Sequence, residues 1–423
     1  MLLALNVVRN YLLIFVLVLV PHLMAARQNN WIAAWASSPQ SSAPDPEEPL
    51  MNLEDQTVRQ RVRVSLGGRQ IRIRLSNEFS PSPVLIGSVT VAVPSDAANV
   101  QSTSIQPVTF SGRKSVTIPL GAPVLSDPVS FPVDPGEEIS ISLYLPRRVV
   151  TPTWHELALK RAVVSKHGDH SADDKMEAAA TSESSILLSA VLVPAQPSQR
   201  LVVTLGDSIT DGDKSTVDAD HNWPGDLIRR LTRASEPSNI AVINEGIVGN
   251  RLLSDCFLVE IGCFSVSALA RFDRDVLAVP GVTHVVLLEG SNDIGFPGAK
   301  LGATYLADPA DIRTAENVID AYRQLIDRAH AHGIEMIGAT LTPCEGVPIP
   351  GYYSEAKEKI RQEVNKWIRS SGSFDAVIDF DAALRDPDHR SRLLPKFASQ
   401  DHLHPNDAGY QAMADAIDLK MFN

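Results

Sequence analysis

Residues 201–212 read LVVTLGDSITDG. An apolar, β-branched run from Leu201 to Leu205 stops at Gly206. Asp207, Ser208, Ile209 and Thr210 follow, and then two more turn formers, Asp211 and Gly212. Such a run predicts a buried strand of a parallel sheet that delivers a side chain to the sheet's carboxyl edge. In open α/β sheets the ligand crevice lies at that edge. Serine after glycine is ordinary turn chemistry, so Ser208 becomes a candidate nucleophile only through its companions downstream.

Around this stretch the periodicity changes. Downstream, strand-like runs at Leu201–Leu205, Ile240–Asn244, His284–Glu289, Glu335–Thr340 and Ala376–Asp379 alternate with helical patterns at Trp223–Ala234, Ser267–Ala278, Ala315–His332, Ser354–Ser371 and Asn406–Leu419. The alternation predicts a parallel sheet covered by helices on both faces. Upstream, from Trp31 to about Val193, the signals are β. In Val58 to Asn77, Val62, Val64 and Leu66 alternate with polar residues, Gly67-Gly68 turns the chain, and Ile71, Ile73 and Leu75 alternate back. This predicts a hairpin with one buried face. Period-two runs recur at Val84–Val93 and Ile139–Leu145, and no amphipathic helix is expected before Ser182. The expected organisation is an antiparallel β-sandwich over 31–195, a linker at Ala195 to Arg200, and an α/β domain over 199–423. A chain of 423 residues accommodates both.

The hairpin's outer face collects Arg59, Arg61, Arg63, Arg72 and Arg74. Such a face either docks an acidic polysaccharide or is solvated or paired with carboxylates of the other domain. The second is the expectation. His155, His167, Asp169 and His170 are ligand-type residues, but loop histidines are more often hydrogen-bonded, and no metal is expected.

A net charge of −12 excludes a broad electrostatic footprint for nucleic acid. At the N-terminus, Tyr11 to Val20 is an apolar run preceded by Arg9 and followed by Pro21, Ala25 and Ala26. It is too short to span a bilayer and reads as a secretory signal over 1–26, cleaved near Ala26. An uncleaved anchor would need Met1 to Val8 as well, across the break at Arg9 and Asn10. The expected location is secreted or periplasmic, with no stable membrane insertion after cleavage. Of the three cysteines, Cys256 and Cys263 could close a small loop, which leaves Cys344 as a thiol. None has zinc-site spacing.

Three later stretches belong with Ser208. The second strand ends in NEGIVGNR, where Gly246, Gly249 and Asn250 make a tight loop. The third ends in LLEGSNDIG, placing Asn292 at the same sheet edge. Backbone N–H groups at Ser208 and Gly249 and the Asn292 amide can donate to a developing oxyanion. In QDHLHPN, at 400–406, Asp401 and His404 are three apart on a turn, so the carboxylate can hold the imidazole Nδ1–H and aim the other nitrogen at a serine.

Taken together, GDSIT at 206–210, the glycine of GIVGN at 249, GSND at 290–293 and DHLHP at 401–405 resemble the SGNH hydrolases, the GDSL-type esterase and lipase family. The resemblance implies a flavodoxin-like three-layer α/β/α hydrolase domain. It makes Ser208, Asp401 and His404 a catalytic triad, with Ser208, Gly249 and Asn292 as the oxyanion hole and no cofactor. The second histidine of DHLHP, His402, is set aside by family spacing, which selects His404. WIAAWASSPQ at 31–40, RIRLSNEF at 72–79 and HNWPGDL at 221–227 look like a secreted two-domain branch with lysophospholipase-like and xylan-esterase-like members.

An α/β-hydrolase would place its nucleophile in Gly-x-Ser-x-Gly, whereas Thr210 stands two after Ser208. The expected activity is hydrolysis of carboxylic esters, first of all O-deacetylation of an extracellular glycan such as an acetylated polysaccharide. General short-chain carboxylesterase or lysophospholipase action is the alternative. A carbohydrate-binding protein that lost its chemistry would have lost at least one of these five residues. Oligomeric state is not legible.

Overall fold

Five strands, Arg200–Gly206, Ile240–Gly246, His284–Leu288, Glu335–Ala339 and Ala376–Ile378, form a parallel sheet in the computed structural model, which describes residues 31–422 apart from 234–238, 259–260 and 262. Taken by their order in the sequence, they lie as 2-1-3-4-5. The first strand therefore sits between the second and third, and the crevice opens where the order reverses. Every residue from Leu201 to Gly206 is buried, as a central strand requires. The helices bury one stripe each. In Ala315–Ala331, Val318, Tyr322, Leu325 and Ala329 face inward, and Thr314 and Asn317 close a capping box at its start.

Two helices differ from their sequence patterns. The predicted Ser267–Ala278 helix is α only over Ala268–Phe272 and widens to a π turn over Asp273–Leu277. Arg271 and Asp275, both buried there, converge on the Ser38 hydroxyl, so burial of polar groups overrides the regular repeat. The last helix is regular only over Asp407–Asp415, after the Asn406 cap, and a 3-10 turn at Leu419–Phe422 ends it.

Upstream lies an antiparallel β-sandwich. One sheet is built on Trp31–Ala36, Leu188–Pro194, Gly68–Asn77 and Val129–Val133. The other contains Gln56–Arg63 between Glu138–Leu145 and Ala162–His167. The expected hairpin over 58–77 is therefore not one. Its two strands belong to opposite sheets, and Gly67-Gly68 is the corner between them. At Gly67 an added Cβ would come within 2.6 Å of the Val133 carbonyl oxygen, which is why glycine turns this corner. Alternation fixes which side of a strand is buried but not which strand is its neighbour.

The five arginines accordingly do not share one face. Arg59 is buried and donates to Ser142 Oγ and to the carbonyls of Ala98, His170 and Asp173. Arg61 and Arg63 cross to the α/β domain, pairing with Asp218 at 2.6 Å and Asp220 at 2.7 Å. Lys160 joins Asp220 at 2.7 Å. Burial raises the Asp220 carboxyl, but Lys160 and Arg63 outweigh that and hold it below its ordinary value. Arg72 lies over Trp31, and Arg74 bonds Ser189.

The sandwich also covers the edge of the parallel sheet. Val242 N, on the edge strand, donates to Ser65 Oγ at 3.2 Å, and Ala33 N donates to the Pro280 carbonyl at 3.1 Å. Capping an edge in this way removes a site for unwanted strand pairing. Buried apolar residues run as one cluster through both layers. The signal segment expected at 1–26 lies outside the described residues. No described helix is long and apolar enough to cross a membrane.

Candidate active site

The first strand ends at Gly206, where an added Cβ would lie 2.2 Å from Thr210 Oγ1 and 2.5 Å from the Leu288 carbonyl. Glycine lets the chain turn directly into the one-turn helix Ser208–Asp211, packed against the neighbouring strand. Asp207 caps this helix by accepting from Ile209 N at 3.0 Å, and burial pushes its carboxyl up to about 6. Ser208 is the first helical residue, so its N–H has no intrahelical acceptor.

His404 reaches Ser208 from the turn before the last helix. Its Nε2 lies 2.8 Å from Ser208 Oγ, and its Nδ1 lies 2.7 Å from Asp401 Oδ2. Asp401 Oδ1 accepts three further hydrogen bonds, from the Leu403 and His404 amides at 2.9 Å each and from Ser399 Oγ at 2.6 Å. Burial raises the Asp401 carboxyl, but the His404 contact and the other donors prevail and hold it well below the carboxylate range. An ionised Asp401 accepts the Nδ1 proton, which leaves the Nε2 lone pair for the serine hydroxyl. His402, two residues earlier, has φ 55° and forms no part of this chain of bonds. A second carboxylate, Asp213, stands 3.6 Å from His404 Nε2.

Gly249 and Asn292 come to the same edge. Gly249 has φ +67°, and a Cβ there would meet Cys263 Sγ at 2.7 Å. The Cys256–Cys263 disulfide is formed, and its sulfur packs on this glycine. Neither the Ser208 nor the Gly249 amide donates to a protein acceptor among the described residues. Asn292 Nδ2 gives one hydrogen to the Asn250 carbonyl at 2.9 Å, and its Oδ1 accepts from Tyr352 Oη at 3.0 Å. Those two bonds fix the amide and leave its second hydrogen without a partner among the described residues. Burial raises Tyr352 well above its ordinary pKa, so it stays a donor.

Sequence reasoning did not find the supports beneath these groups. Asp293 accepts from the Leu252 and Leu253 amides at 2.6 and 2.9 Å, which ties the Gly249 loop to the third strand's end. Arg271, fully buried, donates to the carbonyls of Gly206 and Glu245, to Asn250 Oδ1 and to Ser38 Oγ. It joins the ends of two strands, the Gly249 loop and the β-sandwich. Asp293 lies inside the GSND motif and Tyr352 stands 60 positions beyond Asn292, and nothing local marks what either holds. Arg271 carried a helix pattern only.

The other ligand-type residues separate. His155 bonds Asp211, His170 bonds Asp173, and Asp169 bonds Ser88 and Ser171. Among the described residues no group of three or more His, Cys, Asp or Glu could hold a metal ion. Cys344 is a thiol whose burial pushes its pKa up to about 12.

A family model described as GDSL-like lipase/acylhydrolase matches residues 204–412. Among solved structures, a GDSL-like lipase from Bacteroides thetaiotaomicron is 19% identical, covering 52% of this chain and 87% of its own, with a TM-score of 0.37. The aryl esterase of M. smegmatis is 15% identical, covering 51% of this chain and 95% of its own, with a TM-score of 0.38. No curated protein matches the chain in sequence.

Proposed function

Starting from residues 204–412 as a member of the GDSL-like lipase/acylhydrolase family, a hydrolase acting on ester bonds, we propose that Ser208, His404 and Asp401 work as its catalytic triad. The observation that carries this reading is the relay itself. Ser208 Oγ lies 2.8 Å from His404 Nε2, and His404 Nδ1 lies 2.7 Å from an Asp401 carboxylate held ionised.

In that mechanism Oγ attacks the ester carbonyl as its proton passes to Nε2. The carbonyl oxygen gathers negative charge against the Ser208 and Gly249 amides and the second hydrogen of Asn292 Nδ2. The intermediate collapses, the C–O bond to the alcohol breaks, and His404 returns its proton to the leaving oxygen. Water then enters and attacks the acyl-serine carbonyl as it gives a proton to Nε2. The acyl–Oγ bond breaks as His404 returns that proton to Oγ, releasing the acid and free Ser208.

The substrate class we propose is a short acyl ester, foremost the O-acetyl group of an extracellular glycan, hydrolysed by a secreted or periplasmic enzyme. Two features support it. A groove of about 480 Å³ beside the Gly249 loop is lined by Arg251, Asp255, Asp308 and Asp311 together with Phe257 and Leu306, a polar wall suited to a hydroxyl-rich alcohol. In the 296–311 loop, Leu301 and Tyr305 are exposed rather than folded over a fatty chain. The test is a p-nitrophenyl ester series of rising acyl length beside acetylated xylan, with Ser208→Ala as control. Acetate release from both substrate types, lost in Ser208→Ala, is expected. A preference for long acyl chains would overturn the glycan reading, and turnover retained by Ser208→Ala would overturn the mechanism.

A further inference from the structure

Besides the Ser38–Arg271 contact, the β-sandwich reaches the candidate active site through an imidazole. His155, on the short strand Trp154–His155, is buried, and its two nitrogens have acceptors on both sides. Nδ1 lies 3.1 Å from the Ser38 carbonyl and Nε2 lies 3.0 Å from Asp211 Oδ1. Asp211 is the last residue of the helix that begins with Ser208. Its other oxygen accepts from Val248 N at 3.2 Å, one residue before Gly249. One carboxylate thus spans the serine's helix and the oxyanion loop, and a side chain from the other layer of the protein holds it.

We propose that His155 is a positioning residue for ester hydrolysis, fixing Asp211 and through it the spacing between the Ser208 and Gly249 amides. The proposal rests on the roles assigned to Ser208 and Gly249 above.

The proton count shows how firm the grip is. Ser38 O accepts only, so Nδ1 carries a hydrogen. The Nε2–Oδ1 contact needs a second one, carried by either group. Ring and carboxyl therefore hold two protons between them, and the pair is neutral as a unit while both contacts are satisfied. Both are buried, and both line a cavity of about 100 Å³ on one side, so a bond lost here is costly unless water from that cavity replaces it.

Away from that cavity, further bonds tie these elements together. Ser38 Oγ donates to Glu245 Oε2 at 2.5 Å and accepts from Arg271. The Gln40 and Trp154 backbones exchange both of their N–H···O bonds. On the far side, a Cβ on Gly246 would lie 2.2 Å from Asp211 N, so loop and helix are in direct backbone contact. A shift of the Asp211 carboxylate cannot be absorbed there and must move the Val248–Gly249 peptide.

The experiment compares full-length wild type, His155→Leu, His155→Gln and Ser208→Ala on p-nitrophenyl acetate. Rates of the three proteins that keep Ser208 are expressed per site titrated to completion with an organophosphonate, which removes any loss due merely to unfolded protein. That of Ser208→Ala is expressed per mole of folded protein. Misplacement of reacting groups by about an ångström costs on the order of 10²-fold, so kcat of His155→Leu is expected to fall about 10- to 100-fold. KM should stay within about threefold, because the lost interaction is one made in the transition state. His155→Gln, whose amide can donate to Asp211 from near the Nε2 position, should recover most of that loss.

If the bare Asp211 carboxylate prevents His155→Leu from folding, His155→Leu/Asp211→Asn removes the buried charge and should still lose at least about 10-fold in kcat. Wild-type kcat per titrated site in the leucine variant or the double variant would overturn the proposal. So would a glutamine variant no better than leucine. Turnover retained by Ser208→Ala would instead refute the catalytic reading on which the proposal rests.

Discussion

Asp401→Asn separates an orienting carboxylate from one that serves only the turn. Asp401 takes four donors, with His404 Nδ1 alone on Oδ2 and two amides and a hydroxyl on Oδ1. Asparagine can keep its oxygen in the Oδ1 place and hold the turn, but its NH2 then faces Nδ1. The imidazole avoids that clash by carrying its proton on Nε2, which stands 2.8 Å from Ser208 Oγ and can no longer accept from it. The loss falls on kcat and approaches ~10⁴ in the strongest precedent, about 5.5 kcal/mol of transition-state stabilisation. It should remain smaller than the loss for His404→Ala.

A helix-entry charge would be worth only ~0.3–1 kcal/mol of stability. That reading fits poorly, since the helix starts at Asp407 behind the Asn406 cap. Stability supplies a second readout. The donors around Asp401 hold its carboxyl down in the fold against burial. Such a group stabilises fully above its unfolded pKa, near 3.9, and less as pH falls through its lower folded value. The gap in Tm between wild type and Asp401→Asn should therefore be constant at neutral pH and close below about pH 4. Rates on p-nitrophenyl acetate and melting curves across pH test both parts. An Asp401→Asn protein within about threefold of wild-type kcat, beside an inactive His404→Ala, would refute the orienting role.

Asn292→Ala should lower kcat by ~10²–10³ with little change in KM; steady-state kinetics showing mainly a KM change would make the amide a ground-state contact. Gly249→Ala should cost activity through the Cβ clash with Cys263 Sγ and the positive φ, and a wild-type rate at full folding would remove Gly249 from the oxyanion site. Peptide mapping without reductant should recover Cys256 linked to Cys263. Cys344, with its pKa pushed up to about 12, should resist alkylation in the native protein and react once it is unfolded.

Much of the α/β layer was legible because its strands are apolar runs that end in turn formers. The first three ends lead into Ser208, Gly249 and Asn292, with His404 on the turn before the last helix. GDSIT, GIVGN, GSND and DHLHP are local signals, and the sheet brings their ends to one edge. The 58–77 segment fails for the opposite reason. Its alternation was read correctly, with Val62 and Ile73 buried, but partner choice is a long-range property. The Gly67-Gly68 turn suits a corner between sheets as well as a hairpin. The shared arginine face dissolved with it, since Arg61 and Arg63 lie on a different sheet from Arg72 and Arg74. The expected pairing with carboxylates of the other domain holds for Arg61 and Arg63, some 157 positions away. His155 looked like a ligand-type loop residue because Asp211 lies 56 positions away in sequence.

The ionisation of the site floor was the least legible part, and it bears most on catalysis. On the proposed mechanism an oxyanion forms at the Ser208 edge. Asp207, Asp211, Glu245, Glu289 and Asp293 lie at or beside the strand ends there, a set that would oppose it if every member were charged. Burial alters the sum. It pushes Glu245, with the help of Asp275, to about 8 and raises Glu289, whose oxygens have no hydrogen-bond partner among the described residues, well above its ordinary value. Glu245 is therefore largely neutral at pH 7, and burial shifts Glu289 and Asp293 in the same direction. Asp207, at about 6, keeps most of its charge, and Asp211 shares its charge with His155. Arg271, threaded between the strand ends, places its cation under the same spot. The formal charge of −12 counts these carboxyls as anions. In the fold they leave a floor on which negative charge can develop, because preorganised donors act strongly only where fixed like charges do not cancel them.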